Sequence, residues 1–156
     1  MRPAGVPEDE AGAPAVVAET NARRKASAVV SPLTLGADTV VALDGEIYGK
    51  PHDAAQAREF LARLSGREHE VVGGIALAEH GSVACAAVEI TRVRFRVLSD
   101  AWIDWYLATD EWRGRAGGYA IQGAGAALVA GIEGDYLNVV GLPLARLLEL
   151  RPSLLP

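Results

Sequence analysis

The sequence predicts an α/β domain, and three observations lead to it. Half of the 156 residues are apolar, only 6% are aromatic, and glycine occurs 17 times, a composition suited to many strands and turns. The apolar run Leu35–Leu43 meets a short return segment across Asp44-Gly45, two residues that tolerate the left-handed backbone of a type I′ hairpin turn. Ala57, Phe60, Leu61 and Leu64 recur at helical spacing behind Asp53, and Gln56 follows Asp53 by three residues, the pattern of a capped amphipathic helix. The length fits one domain over residues 1–156, with 1–13, rich in Pro, Gly, Ala and acids, irregular.

Charge and cysteine usage narrow the function classes. A net charge of −5 argues against non-specific nucleic-acid binding, while a few local cations can still hold a small anion. The single cysteine, Cys85, allows no internal disulfide, and its small apolar surroundings make it a packed thiol. No run reaches membrane-spanning length, and the first residues lack the apolar core of a signal peptide. The expectation is a soluble, cytoplasmic protein that engages no membrane.

Taken in order, residues 14–28 read as a helix with Pro14 in its first turn and Arg23-Arg24-Lys25 at its end, where cations complement the dipole. Its apolar face is thin, so it reads as a surface helix. The hairpin follows, then the capped helix, stopped by Gly66. His69–Ala78 is a strand buried on both faces, and Val83–Leu98 is a longer one. In the latter, Val88 and Ile90 hold one parity while Thr91, Val93, Phe95 and Val97 hold the other, which predicts a bulge between Ile90 and Thr91. Arg92, Arg94 and Arg96 then share a solvated face. Ser99 caps a helix with Trp102, Ile103, Tyr106 and Leu107 on its apolar side. Residues 109–118 form a loop and Tyr119–Gln122 a brief strand. Ala126–Ile132 is a buried strand and Asp135–Val140 an extended segment. A last helix opens at Pro143 with Leu144, Leu147 and Leu148 inward, and Pro152 ends it.

No Cys/His metal cluster, Walker loop or dinucleotide-binding glycine motif is present; His52, His69 and His80 follow no helical spacing. What remains is a scattered polar set in apolar or glycine-rich surroundings: Asp38, Thr39, Lys50, Gln122, Asp135 and Asn138. Asp38 stands out, because a carboxylate among small apolar residues is costly unless something binds it. By residue type alone, a binding site built on Asp38 and a turn-capping acid are equally good readings.

Five blocks carry a resemblance: Gly36-Ala37-Asp38-Thr39-Val40-Val41, Gly49-Lys50-Pro51, Leu64-Ser65-Gly66, Ala116-Gly117-Gly118-Tyr119-Ala120-Ile121-Gln122-Gly123 and Val139-Val140-Gly141-Leu142-Pro143-Leu144. In order and spacing they resemble the Maf family of nucleoside triphosphate pyrophosphatases, and Lys25-Ala26 resembles the Lys-Ala that closes the family's preceding helix. The resemblance implies a mixed, twisted sheet flanked by helices around a cleft. It also implies hydrolysis of a nucleoside triphosphate to the monophosphate and pyrophosphate with a divalent cation, Mg²⁺ or Mn²⁺, in a homodimer. By position it makes Asp38 the catalytic acid, which takes a proton or helps hold the cation. Lys25 and Lys50 become phosphate contacts, and Thr39 and Gln122 become substrate contacts that bear on the base. The Tyr-x-Ile-Gln-Gly form points to dTTP and UTP rather than 7-methyl-GTP, and a glutamine amide suits the N3–H and O4 edge of uracil or thymine.

Two departures accompany this. The family normally opens with a strand and Ser-x-Ser-Pro-Arg-Arg, a phosphate-gripping loop that this chain does not contain, so the first strand and loop of the fold are expected to be missing. A second metal-holding acid is then expected from Glu10 of the Asp9-Glu10 pair, with Glu8 as the alternative. Arg115 stands where a lysine is common, keeping the charge and changing its geometry. The competing reading is a shortened paralogue that binds nucleotide with little or no turnover and acts in the control of cell division.

Overall fold

The computed structural model describes residues 5–154. Helix α1 (Pro14–Ser27) precedes the hairpin of β1 (Thr34–Leu43) and β2 (Glu46–Tyr48), then α2 (Ala54–Leu64). A second hairpin, β3 (Glu68–Glu79) and β4 (Ser82–Phe95), leads to α3 (Asp100–Leu107), β5 (Val129–Glu133), α4 (Tyr136–Val140) and α5 (Leu144–Leu150). The strands form one sheet in the order β2-β1-β3-β4-β5 with helices on both faces. The α/β class is as expected, but all four pairings are antiparallel, so the described strands do not make the sheet mixed. Both tight hairpins place their turn residues in the left-handed region, Asp44 and Gly45 at φ 53° and 81°, and His80 and Gly81 at 50° and 84°.

The capped helix is as the sequence reads. Asp53 accepts from the Gln56 N–H at 2.8 Å, and Gln56 Oε1 reaches back to the N–H of His52, one residue short of a reciprocal capping box. Leu61 and Leu64 of α2 pack with Val41, Val71, Phe95 and Trp112 into the main core on one face of the sheet.

Helix α1 is not a surface helix. Val17, Ala18, Asn21, Ala22 and Ala26 are buried against the other face. A Cβ built on Gly36 would lie 2.1 Å from the carbonyl oxygen of Ala22, and one on Gly74 would lie 2.2 Å from that of Ala18. Alanines on the helix and glycines on the strands thus bring backbone against backbone. Small residues carry little hydrophobicity, so the packing left only a thin apolar stripe in the sequence.

The expected bulge between Ile90 and Thr91 is absent. Pairing with β3 runs unbroken from Ala86 to Arg94, and the register shifts instead at Leu77/Ala78 and, against β5, at Arg94/Phe95. Val88 packs beneath α1 with Val17, Val40 and Val72 while Ile90, of the same parity, is exposed, so the apolar residues of both parities reflect a second, partly covered face. The 126–132 strand is also corrected: Gly123–Leu128 is a 3₁₀ turn, and only the exposed edge strand β5 follows. Residues 135–140 are helical, with Asp135 Oδ1 capping the Leu137 N–H at 2.8 Å and Gly141 ending the turn at φ 127°. In α3, Ile103 and Tyr106 are buried while Trp102 is exposed; in α5, Leu147 is buried and Leu144 exposed. No helix among the described residues is long and apolar enough to cross a membrane.

His69 sits in the main core, its Nε2 2.7 Å from the Tyr119 hydroxyl and its ring edge-to-face with Phe95. Burial pulls its pKa from 6.5 down to about 4. The unfolded chain therefore takes up this proton first, and the stability is intact above pH 6.5 and lost as the pH falls toward 4. The loss should approach about 3 kcal/mol. Urea denaturation at pH 7.5, 6 and 5 should show it, and His69→Gln should flatten it. A wild-type midpoint that stays level over that range would rule this out.

Candidate active site

The cleft exists because β2 is short. It pairs with β1 only at Val41–Leu43, which leaves the Ala37–Thr39 edge of β1 uncovered on that side. That edge lines a cleft of about 520 Å³, within the size range of small-molecule sites. The end of α1 contributes Lys25, the segment after β2 contributes Lys50, and the loop after α3 contributes Glu111, Arg115 and Gln122. The end of α4 closes it with Val139–Gly141. Asp38, Thr39, Lys25, Lys50 and Gln122, far apart in the chain, thus share one cavity.

Lys25, Asp38 and Lys50 of the cleft belong to a chain of alternating charge that includes Glu8. Asp38 is only 8% exposed. Its Oδ1 accepts from Lys25 Nζ at 2.6 Å and its Oδ2 from Asn21 Nδ2 at 3.0 Å, which offsets the cost of burying the carboxylate. Lys25 also lies 2.7 Å from Glu8 Oε1, and Lys50 lies 2.7 Å from Glu8 Oε2. Partial burial works against the charged form of Lys25, but its bonds to Asp38 and Glu8 outweigh this and raise its pKa. Glu8 is the mirror case: burial pushes its carboxyl up, and hydrogen bonds from Lys25 and Lys50 bring it below the usual value.

Glu8, not Glu10, is the carboxylate that pairs with the two lysines. Glu10 is exposed and makes no ion pair among the described residues. The segment is set by Asn21, whose Oδ1 accepts from the Asp9 N–H at 2.8 Å while its Nδ2 donates to the Asp9 carbonyl at 3.0 Å. Asp9 itself pairs with Arg24 at 2.7 Å. With Asp9 turned to the helix, Glu8 faces the lysines.

In the loop after α3 the chain folds back on β1 through two glycines. Gly117 and Gly118 both have positive φ, 68° and 71°, and a side chain on Gly117 would strike Val41. The Gly117 N–H donates to the Gly49 carbonyl at 3.0 Å, tying this loop to the segment that carries Lys50. Tyr119–Gln122 pairs with no strand, although Tyr119 is extended, and Gln122 is exposed at the cleft. Asn138, fully buried, donates to the Val71 carbonyl at 3.0 Å and the Thr91 hydroxyl at 3.1 Å. It sits over Gly73, where a Cβ would fall 1.9 Å from its Oδ1, and so seats α4 against the sheet. Asn138 braces the cleft wall.

The family profile of Maf-like proteins matches residues 1–152. The chain belongs to the Maf-like family. It is 53% identical over 116 residues to a protein of Pyrococcus furiosus named dTTP/UTP pyrophosphatase, an alignment covering 74% of this chain and 60% of the relative. A relative of the same name from Symbiobacterium thermophilum is 50% identical over 90% of this chain and 74% of its own. Another, from Pelotomaculum thermopropionicum, is 46% identical over 94% and 81%. This Maf-like chain thus spans 60% of the length of the first relative and somewhat more of the others.

Of the residues at or behind the cleft of this Maf-like chain, Asn21 and Glu111 were not singled out from sequence, and Glu8 was named only as the alternative to Glu10. Asn21 had a signal, since it stands four residues before Lys25 on one helix face. Glu8 had only its place beside two other acids. Glu111 had none, lying in a polar loop whose fold depends on contacts far along the chain.

Proposed function

We propose that this Maf-like chain hydrolyses dTTP and UTP to the monophosphate and pyrophosphate. The observation that carries the proposal is that a buried carboxylate, two lysines and an exposed glutamine amide, far apart in the chain, line one cleft. Lys25, Lys50 and Arg115 supply positive charge for the polyphosphate. Gln122 offers a donor and an acceptor to the base. The relatives' names support the same substrates.

In this reading a water oxygen bonds to the α-phosphorus, the bond to the bridging oxygen breaks, and pyrophosphate leaves. Asp38 takes the water's proton. Lys25 and Asn21 each engage one of its oxygens, which leaves Asp38 further acceptor capacity beside the cleft. Lys25, whose ammonium bonds Asp38, Glu8 and the Ala37 carbonyl, is held protonated and lends its charge to the cleft. Thr39 stands beside Asp38 on the same edge with its hydroxyl toward Gly141.

A divalent cation, Mg²⁺ or Mn²⁺, belongs to the proposal. The donor set fits one: Asp38 and Glu8 converge on a single ammonium, and a hard cation in such enzymes takes one or two carboxylates plus substrate oxygens. Among the described residues no three His, Cys, Asp or Glu side chains gather, so phosphate oxygens and water would complete the shell. When bound, the cation neutralises charge on the polyphosphate. The reading also includes a homodimer in the cytoplasm, to be tested by sedimentation and cell fractionation. The functional test is pyrophosphate release from dTTP, UTP, CTP, GTP and 7-methyl-GTP with Mg²⁺ or Mn²⁺. Turnover is expected for dTTP and UTP, and a clear preference for any other nucleotide would refute the proposal.

A further inference from the structure

Glu111 lies where the loop after α3 passes beneath the Gln122 segment. Its Oε2 accepts hydrogen bonds from the backbone N–H groups of Ala124 at 2.8 Å and Gly125 at 3.4 Å. The carboxylate is pressed so close that a Cβ on Gly123 would fall 2.7 Å from Oε1 and 2.8 Å from Oε2. Glu111 is itself anchored, its N–H donating to the Thr109 hydroxyl at 3.2 Å and that hydroxyl to the Tyr106 carbonyl at 2.6 Å. On the other side of Gln122, the Ala120 N–H donates to the Tyr106 hydroxyl at 3.1 Å. The turn that carries Gln122 is therefore pinned at both ends to one short stretch, Tyr106–Glu111.

The chemistry of base reading explains why pinning matters. A glutamine amide reverses its donor and acceptor by a half-turn about its last bond. A loosely held glutamine thus meets the cytosine edge, with its N4–H donor and N3 acceptor, as readily as the uracil edge. Preference for one edge requires the amide and the neighbouring backbone to keep a single orientation, so that the wrong base leaves polar groups unpaired.

We infer that Glu111 is a positioning residue for base selection, its carboxylate holding the Gln122–Gly125 turn so that one hydrogen-bond pattern, that of uracil and thymine, faces the cleft. The inference rests on the dTTP/UTP reading and names what sustains its selectivity.

The test is kcat and KM of the full chain for UTP, dTTP and CTP, in the wild type, Glu111→Ala and Glu111→Gln. Glu111→Ala should lower the UTP-to-CTP ratio of kcat/KM about tenfold, mostly through a higher KM for UTP. Glu111→Gln keeps an acceptor oxygen and should retain most of the ratio. A role confined to fold stability would reduce kcat for every nucleotide alike and leave the ratio untouched. That result overturns the inference, as does a Gln variant no more selective than the Ala variant. If Glu111→Ala does not fold, Glu111→Asp replaces it, because the shorter carboxylate cannot reach both amides. A wild type that turns over no triphosphate removes the activity reading and the inference together; a selective wild type with equally selective variants removes the inference alone.

Discussion

Asp38→Asn should abolish pyrophosphate release from dTTP and UTP, lowering kcat by about 10²–10⁴-fold. The substitution keeps the shape of the side chain and removes its charge and most of its basicity. The one oxygen of the new amide can still accept from Lys25, which also keeps Glu8 at 2.7 Å, so the ammonium would not be stranded. The Asn21 amide, 3.0 Å from Oδ2, would face the new NH2 there and keep its other bond, to the Asp9 carbonyl at 3.0 Å. The fold should therefore survive, and the comparison should be made at equal fractions folded, checked by circular dichroism. Substrate binding should change far less than turnover, because Lys25, Lys50 and Gln122 are untouched. Turnover within tenfold of the wild type would remove Asp38 from the chemistry and leave it a buried partner that orients Lys25.

Gly74→Ala should destabilise the protein by about 3 kcal/mol or more, beyond the usual range for an overpacked side chain. The added methyl would lie 2.2 Å from the Ala18 carbonyl oxygen and 2.3 Å from its carbon. Those atoms belong to the helix backbone, so no rotamer change relieves the clash, and α1 must lift from the sheet. Gly36→Ala should act the same way, with Ala22 O at 2.1 Å and Ala26 N at 2.5 Å. Because α1 carries Asn21 and Lys25, hydrolysis should fall with stability. Gly49→Ala is the control: nothing lies within 4 Å of its Cβ position, and the change should stay within about 0.5 kcal/mol. Equal melting temperatures for Gly74→Ala and Gly49→Ala would refute the close packing of α1.

Much of the site was legible because its residues break local rules. Asp38 is a carboxylate in an apolar strand, and Asp44-Gly45 fixes the turn that brings Lys50 back toward it. Gly117-Gly118 fall in the stretch read as a loop, and glycine favours their φ near +70°. Elements with self-contained signals were equally plain, α2 with its cap and stripe above all. The misreadings fall where sequence and local propensity were outvoted. Residues 135–140 contain a Val-Val pair that favours a strand, yet the Asp135 cap and the seat of Asn138 over Gly73 make a short helix. Alternation in β4 looked like a slip of phase because α1 covers part of the second face.

The sequence by itself determined the hairpins, the capped helix and the small set of residues able to do phosphate and base chemistry. Each of these rests on interactions between residues a few positions apart or on side-chain chemistry that does not depend on neighbours. Tertiary structure alone decided that α1 is buried, that Glu8 and not Glu10 joins the lysines, and that Glu111 pins the turn holding Gln122. These outcomes depend on backbone approach and on hydrogen bonds between segments up to tens of residues apart. Such contacts leave only alanines, glycines and an ordinary glutamate in the sequence.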